Sequence, residues 1–228
     1  PGIVLLSSDD LLHWKHAKIN LSKDYPKHFG DAYWVWAPQT IYDRKAKKYM
    51  IYFTLQRNDR KSLITYYAYA NKDFTGFENE PKQLFSAKYG SIDNDIIERD
   101  GTYHLFYKGN TKDENGKEVK NGIQQATSKS LKGKWKEDFR YVDAYAGKTP
   151  VEGSSIFKLN GEDEYVLMYD MYTSGRYEYQ TSTDLYHFSE PKAFTKDFFP
   201  RHGSVISLTR DELQRLQEKW GYVVTYQF

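Results

Sequence analysis

The chain has 228 residues, 33 Lys and Arg against 31 Asp and Glu, and no Cys. Disulfides and thiolate metal centres are thereby excluded. No basic stripe speaks for nucleic acid, no acidic block for disorder, and no apolar run approaches the roughly 18 residues of a membrane span.

Aromatic residues make up 17% of the sequence, which suits half-buried strands and a surface that stacks on flat ligands. In chain order, Ile3–Leu6 reads as a short apolar strand and Ser7–Leu12 as a polar turn ahead of Trp14. Residues 20–32 are polar and punctuated by Gly and Pro, a connection. Val35–Tyr42, Lys48–Leu55 and Leu63–Ala70 have the alternating or β-branched character of strands. The same sequence of elements returns as Ser91–Glu98, Tyr103–Gly109 and Gly122–Ser128, and again as Ser154–Leu159, Tyr165–Met171 and Tyr177–Ser182. Gly203–Leu208 reads as a further strand. Thr209 then caps a helix with Glu212 three residues on, Leu213, Leu216 and Trp220 on one face, and Gly221 as its stop. This helix is expected to lie as a lid on the ring bottom, and Val223–Tyr226 to form a closing strand.

A turn phrase punctuates these units: SSDDLLHW (7–14), ANKDFTGF (70–77), TSKSLKGKW (127–135) and TSTDLYHF (181–188). Its closing aromatics, Trp14, Phe77, Trp135 and Phe188, fall 63, 58 and 53 positions apart and are expected to pack between units. Repeats of about 40–50 residues or slightly more, each with several short strands, mark a β-propeller. The first copy lacks the aromatic strand that should precede it. The expectation is an all-β chain in one domain over 1–228: a five-bladed propeller, incomplete at its N-terminal end, with a short C-terminal helix. An open sheet edge would then favour dimerisation or poor solubility.

Propellers place function where the innermost strand of each blade begins. The corresponding segments are Trp36–Gln39, Ser91–Asp95, Val151–Ser154 and Arg201–Ser204, expected to converge on one pocket. The phrases WAPQTIYD (36–43), SIDNDIIERDGTYHLFYKG (91–109), VEGSSIFK (151–158) and PRHGSVISLT (200–209) resemble the family 43 glycoside hydrolases. Those are five-bladed propellers that cleave arabinose- and xylose-containing plant polysaccharides by inversion.

The resemblance implies that Glu152 is the general acid and Asp93 the carboxylate that keeps it protonated, with Asp95 the alternative for that role. A neighbouring negative charge and burial are what raise a carboxyl into the range of a useful acid. His202 resembles a residue that faces a hydrated calcium ion in the channel, and Trp36 a floor for a sugar ring. Gln39, Arg201 and Arg176 are candidate sugar contacts. The general base of that family stands in an Asp-Pro phrase on the first strand of the first blade, and no Asp-Pro pair occurs in this sequence. Asp31, nearest along the chain, matches no part of the motif. The implied partner is an oligosaccharide or polysaccharide, and the resemblance favours a secreted or periplasmic location. The alternatives are a propeller that binds sugar without catalysis, for want of a base, and a protein-interaction propeller with no carbohydrate affinity.

Overall fold

The computed structural model describes residues 1–112, 115–146, 148–194 and 201–221. Its strands form four antiparallel sheets in chain order. The first holds two strands, β1 (Gly2–Ser7) and β2 (Lys15–Asn20), followed by two helical turns, α1 (Leu21–Asp24) and α2 (Pro26–Phe29). The next holds β3 (Ala32–Asp43), β4 (Lys48–Arg57), β5 (Leu63–Tyr69) and β6 (Lys82–Phe85). A third holds β7 (Ser91–Arg99), β8 (Thr102–Lys112), β9 (Glu118–Ser128) and β10 (Lys136–Tyr141). The fourth holds β11 (Glu152–Lys158), β12 (Tyr165–Met171), β13 (Arg176–Ser182) and β14 (Lys192–Ala193), and the chain goes on to α3 (Arg210–Trp220). Among the described residues the sheets do not close on themselves.

The second strand of each complete sheet is buried on both faces, and its period of two hands alternate side chains to different neighbours. On β4, Ile51, Phe53 and Leu55 join Ile3, Leu5 and Ile19 of the first sheet. Met50 and Tyr52 face the other way and meet Leu105 and Tyr107 of β8. Phe106, between those two, packs instead with Leu167 and Tyr169 of β12. These three cores therefore lie between sheets, while a fourth, of Val166, Met168, Tyr177 and Tyr179, stays on the last sheet. Phe106 meets Phe188 at 5.8 Å, and Phe85 meets Tyr107 at 5.2 Å.

The turn phrase joins the two strands of the first sheet and the third and fourth strands of each four-stranded sheet. In its first and last copies the hydrogen bonding is the same: Asp10 and Asp184 each accept from the two backbone N–H groups that lie two and three residues on, and from a His ring. Leu11 and Leu185 take left-handed conformations there, at φ 64° and 66°. Phe77, Trp135 and Phe188 pack between sheets as expected. Trp14 does not: it is 53% exposed, beside exposed Val4 and Leu6, because no described sheet covers that face of β1 and β2.

Two other expectations change. Gly203–Leu208 alternates like a strand but pairs with no sheet, and Val205 and Ile206 are exposed. An apolar alternation makes a strand only where a free sheet edge lies alongside it. The helix forms with the capping box of Thr209 and Glu212, yet none of its residues is buried and Trp220 is 69% exposed, so it is not a packed lid. Val223–Tyr226 lies outside the described residues.

Neighbouring sheets share no strand ladder, so polar side chains tie their inner strands together. Asp95 on β7 accepts from the Ile156 N–H of β11 at 2.8 Å and from the Tyr52 hydroxyl of β4 at 3.1 Å, linking three sheets. Replacing Asp95 by Ala leaves a buried N–H and a buried hydroxyl without acceptors, a loss of about 2–4 kcal/mol. Urea unfolding should show it as a lower midpoint at unchanged slope, and a midpoint within error of the parent would remove the tie from the account.

Candidate active site

The four segments named from the sequence meet at one cleft of about 270 Å³, lined by Ala37–Gln39, Asp93, Asn94, Gly153, Ser154 and His202–Ser204. A local backbone device places them. Pairing slips between Trp36 and Gln39 on β3, between Ile92 and Asp95 on β7, and between Glu152 and Ser155 on β11. Inside each slip one residue is left-handed: Ala37 at φ 47°, Asp93 at 57° and Gly153 at 65°. His202, in the fourth segment, has φ 56°. Bulges re-aim side chains, and here each turns a strand's opening residues into the cleft. At position 153 glycine is required twice over, because a Cβ would lie 2.8–3.0 Å from the His202 ring.

Asp93 is buried at the cleft wall, where its Oδ2 accepts from the Gly153 N–H at 2.9 Å and its backbone carbonyl accepts from the Ser154 hydroxyl at 2.6 Å. Burial raises its carboxyl above the usual range, against the pull of the nearby His202 charge. Asp93, Glu152 and His202 each offer an atom within 4.8 Å of the others. Asp95 is spent on the tie between sheets, with burial lifting it to about 6, and it does not line the cleft. Of the two candidates, Asp93 is the one that lines the cleft.

Glu152 sits just behind the lining residues. His202 Nε2 lies 3.4 Å from its Oε1, and Lys108 Nζ on β8 donates to its Oε2 at 2.7 Å. Arg201 Nη2 is 4.0 Å from Oε1. Hydrogen bonding from His202 and then Lys108 holds the carboxyl down to about 2, well below its ordinary 4.5. This runs against the expectation of a raised acid, because the hydrogen bonds from His202 and Lys108 outweigh burial. His202 is raised in turn by its bond to Glu152 and by the charges of Asp93, Glu152 and Asp170.

Lys108 and Asp170 escaped the sequence reading. Asp170, 1% exposed at the end of β12, pairs with Arg201 and lies 3.9 Å from His202 Nε2. Both break an apolar alternation, Lys108 in HLFYKG and Asp170 in YVLMYDM, and a charge inside such a run is the signal of a paired, buried group.

The remaining candidates divide. Gln39 lines the cleft and accepts from the Ser204 hydroxyl. Trp36 stops short of the lining and stacks on Trp34. Arg176 is not brought to the cleft: it lies 3.6 Å from Glu178 on β13, and neither residue lines the cleft. Asp31 pairs with Arg57. For direct coordination of calcium, which takes six to eight oxygens, the donor set is poor. Glu152 and Asp170 are already neutralised by Lys108 and Arg201, Asp93 is bound to a backbone N–H, and His202 is drawn towards its charged form.

Residues 1–214 match a family model described as "Probable glycosyl hydrolase domain", related to glycosyl hydrolase family 43. The chain belongs to this family. No curated protein matches it. Among solved structures it is similar to one from Bifidobacterium bifidum s17 assigned as an exo-β-1,3-galactanase, at 20% identity and TM-score 0.62, over 83% of this chain and 61% of that one. A galactotriose-bound exo-β-1,3-galactanase from Phanerochaete chrysosporium gives 16% identity and TM-score 0.59, over 84% and 43%. A fructofuranosidase from Schwanniomyces occidentalis gives 12% and 0.58, over 74% and 36%. The chain thus spans between about a third and under two thirds of these structures, and at such identities they share its fold.

A carboxyl with a depressed pKa contributes stability that is present above its unfolded value and lost as pH falls through the folded one. For Glu152 that window runs from about 4.5 down to about 2. Lys108→Met should raise the Glu152 midpoint by at least about one pH unit, read by carboxyl ¹³C NMR, and Glu152→Gln should flatten the acid limb of stability. An unmoved midpoint in Lys108→Met would show that the ion pair does not set it.

Proposed function

We propose that this family member hydrolyses glycosidic bonds by inversion, with Glu152 as proton donor and Asp93 as the carboxylate that orients it. The proposed substrates are arabinose- or xylose-containing plant polysaccharides and their oligosaccharides, held in a five-bladed ring. The observation that carries the reading is the approach of Asp93, Glu152 and His202 within 4.8 Å at a cleft built by three sheets. A carboxyl pair so close leaves no room for water between acid and base, which inversion sets roughly 6.5–9.5 Å apart. Asp93 is therefore the partner of the acid and not the base.

In the sugar-free protein Glu152 is ionised, so the proton it donates must reach it first. His202 is the source at hand, its Nε2 3.4 Å from Oε1. A sugar that enters the cleft and separates Glu152 from Lys108 weakens the hold on the carboxylate. The His202 proton then passes to Glu152, leaving a neutral imidazole and a carboxylic acid. Glu152 gives that proton to the departing glycosidic oxygen as water attacks the anomeric carbon and loses its own proton to a general-base carboxylate, a role that no described residue of the cleft fills.

A second reading, sugar binding without catalysis, is favoured by the cleft lining itself, where Asp93 is the one carboxylate among the described residues. Aryl arabinofuranosides, xylosides and, because two similar structures are named for galactanase activity, galactosides distinguish the two. The expected result is hydrolysis that falls about 10²–10⁴-fold in Glu152→Gln. Hydrolysis that survives this substitution refutes the assignment. Calorimetric binding of oligosaccharides with no product, even when azide is supplied as a nucleophile that needs no base, establishes the second reading instead.

A further inference from the structure

Beside the cleft, the first half of β3 carries a cluster of exposed aromatic side chains. Tyr33 and Trp34 are 37% and 46% exposed, and Trp36 is half-buried. The Trp34 and Trp36 rings stack with centroids 5.3 Å apart and planes 24° from parallel. Tyr33 meets Trp34 edge-on at 5.5 Å. Arg60 closes the far side, with its guanidinium 4.3 Å from the centre of the Tyr33 ring and its Nη2 donating to the phenol oxygen at 2.5 Å.

The placement follows from the strand. Residues two apart share a face, so Trp34 and Trp36 stand side by side, opposite Gln56 and Thr54 of β4. The bulge that follows Trp36 turns the chain into the cleft wall at Ala37. At roughly 3.3 Å per residue, the three steps from Trp34 to Ala37 cover about 10 Å. That is beyond the reach of a sugar seated in the cleft and within the reach of the same glycan a couple of units further on. Stacked rings braced by an edge-on phenol and a cation are pre-ordered, so binding on them costs little side-chain freedom. An exposed cluster of this kind marks a binding surface, and its flat apolar faces suit the CH-rich face of a sugar ring.

We propose that Trp34, held by Trp36 and Tyr33, is a glycan subsite separate from the cleft, so that the ligand is a chain of three or more sugars. The proposal rests on reading the cleft as a sugar site, and it selects oligosaccharides over free monosaccharides. Xylotriose, arabinotriose and β-1,3-galactotriose, each beside its monosaccharide, are the probes, with affinity read by calorimetry and tryptophan fluorescence.

The expected result is that Trp34→Ala weakens the best-bound trisaccharide at least about fivefold, leaves its monosaccharide within twofold, and loses the trisaccharide-induced emission change. Trp34→Phe, which keeps a ring, should recover most of the affinity. The proposal is overturned by trisaccharides that bind no better than monosaccharides. Equal losses for both ligands also overturn it, as does a Trp34→Ala effect confined to the dissociation of a dimer. Trp34-sensitive binding with no hydrolysis keeps the subsite and removes the catalytic reading. Hydrolysis with trisaccharide affinity indifferent to Trp34 does the reverse.

Discussion

A bulge interrupts the inner strand of each complete sheet at the same place, and the chemistry of the cleft hangs on that repeated irregularity. A regular strand would point Asp93, Asn94 and Asp95 alternately at two neighbouring sheets. With Asp93 left-handed, its carboxyl reaches the cleft while Asp95 stays behind to bind Ile156 and Tyr52. The conformation costs on the order of 1–2 kcal/mol per non-glycine residue. The bonds it makes possible offset that cost, since Asp93 accepts from the Gly153 N–H and from the Ser154 hydroxyl in the next sheet.

Those bonds also answer a problem of edges. The inner strand of every sheet has N–H groups with no partner in its own ladder, and buried donors left alone are costly. Here the carboxylates of one sheet serve the exposed backbone of the next. Catalytic candidates and structural ties are thus neighbours on β7, two residues apart, and they differ only in which way the bulge sends them.

The first three strands of each unit were readable because they are long, aromatic and alternating. The strands after the turn phrase, β2, β6, β10 and β14, were not: KHAKIN, KQLF, KEDFRY and KA are short or charged, and half-exposure weakens the pattern. The convergence of the cleft segments was legible from their equivalent positions in the repeat. The electrostatic state of Glu152 was not, because Lys108 comes from a second strand and Arg201 and His202 from a segment some 50 residues downstream. Position along the chain names the residues in such a site, but only the folded distances say which charge wins.

The strict division of labour along β4, β8 and β12 has a consequence for how this architecture diverges. Adding or deleting one residue in any of these strands would exchange its two faces, sending Phe106 towards Tyr52 and Leu105 towards Phe188, and both adjoining cores would be mismatched at once. A change of length is therefore borne more easily in the hairpins and connections than inside these strands. A barrel of staves behaves the same way: each stave tolerates new timber, and none tolerates being turned over.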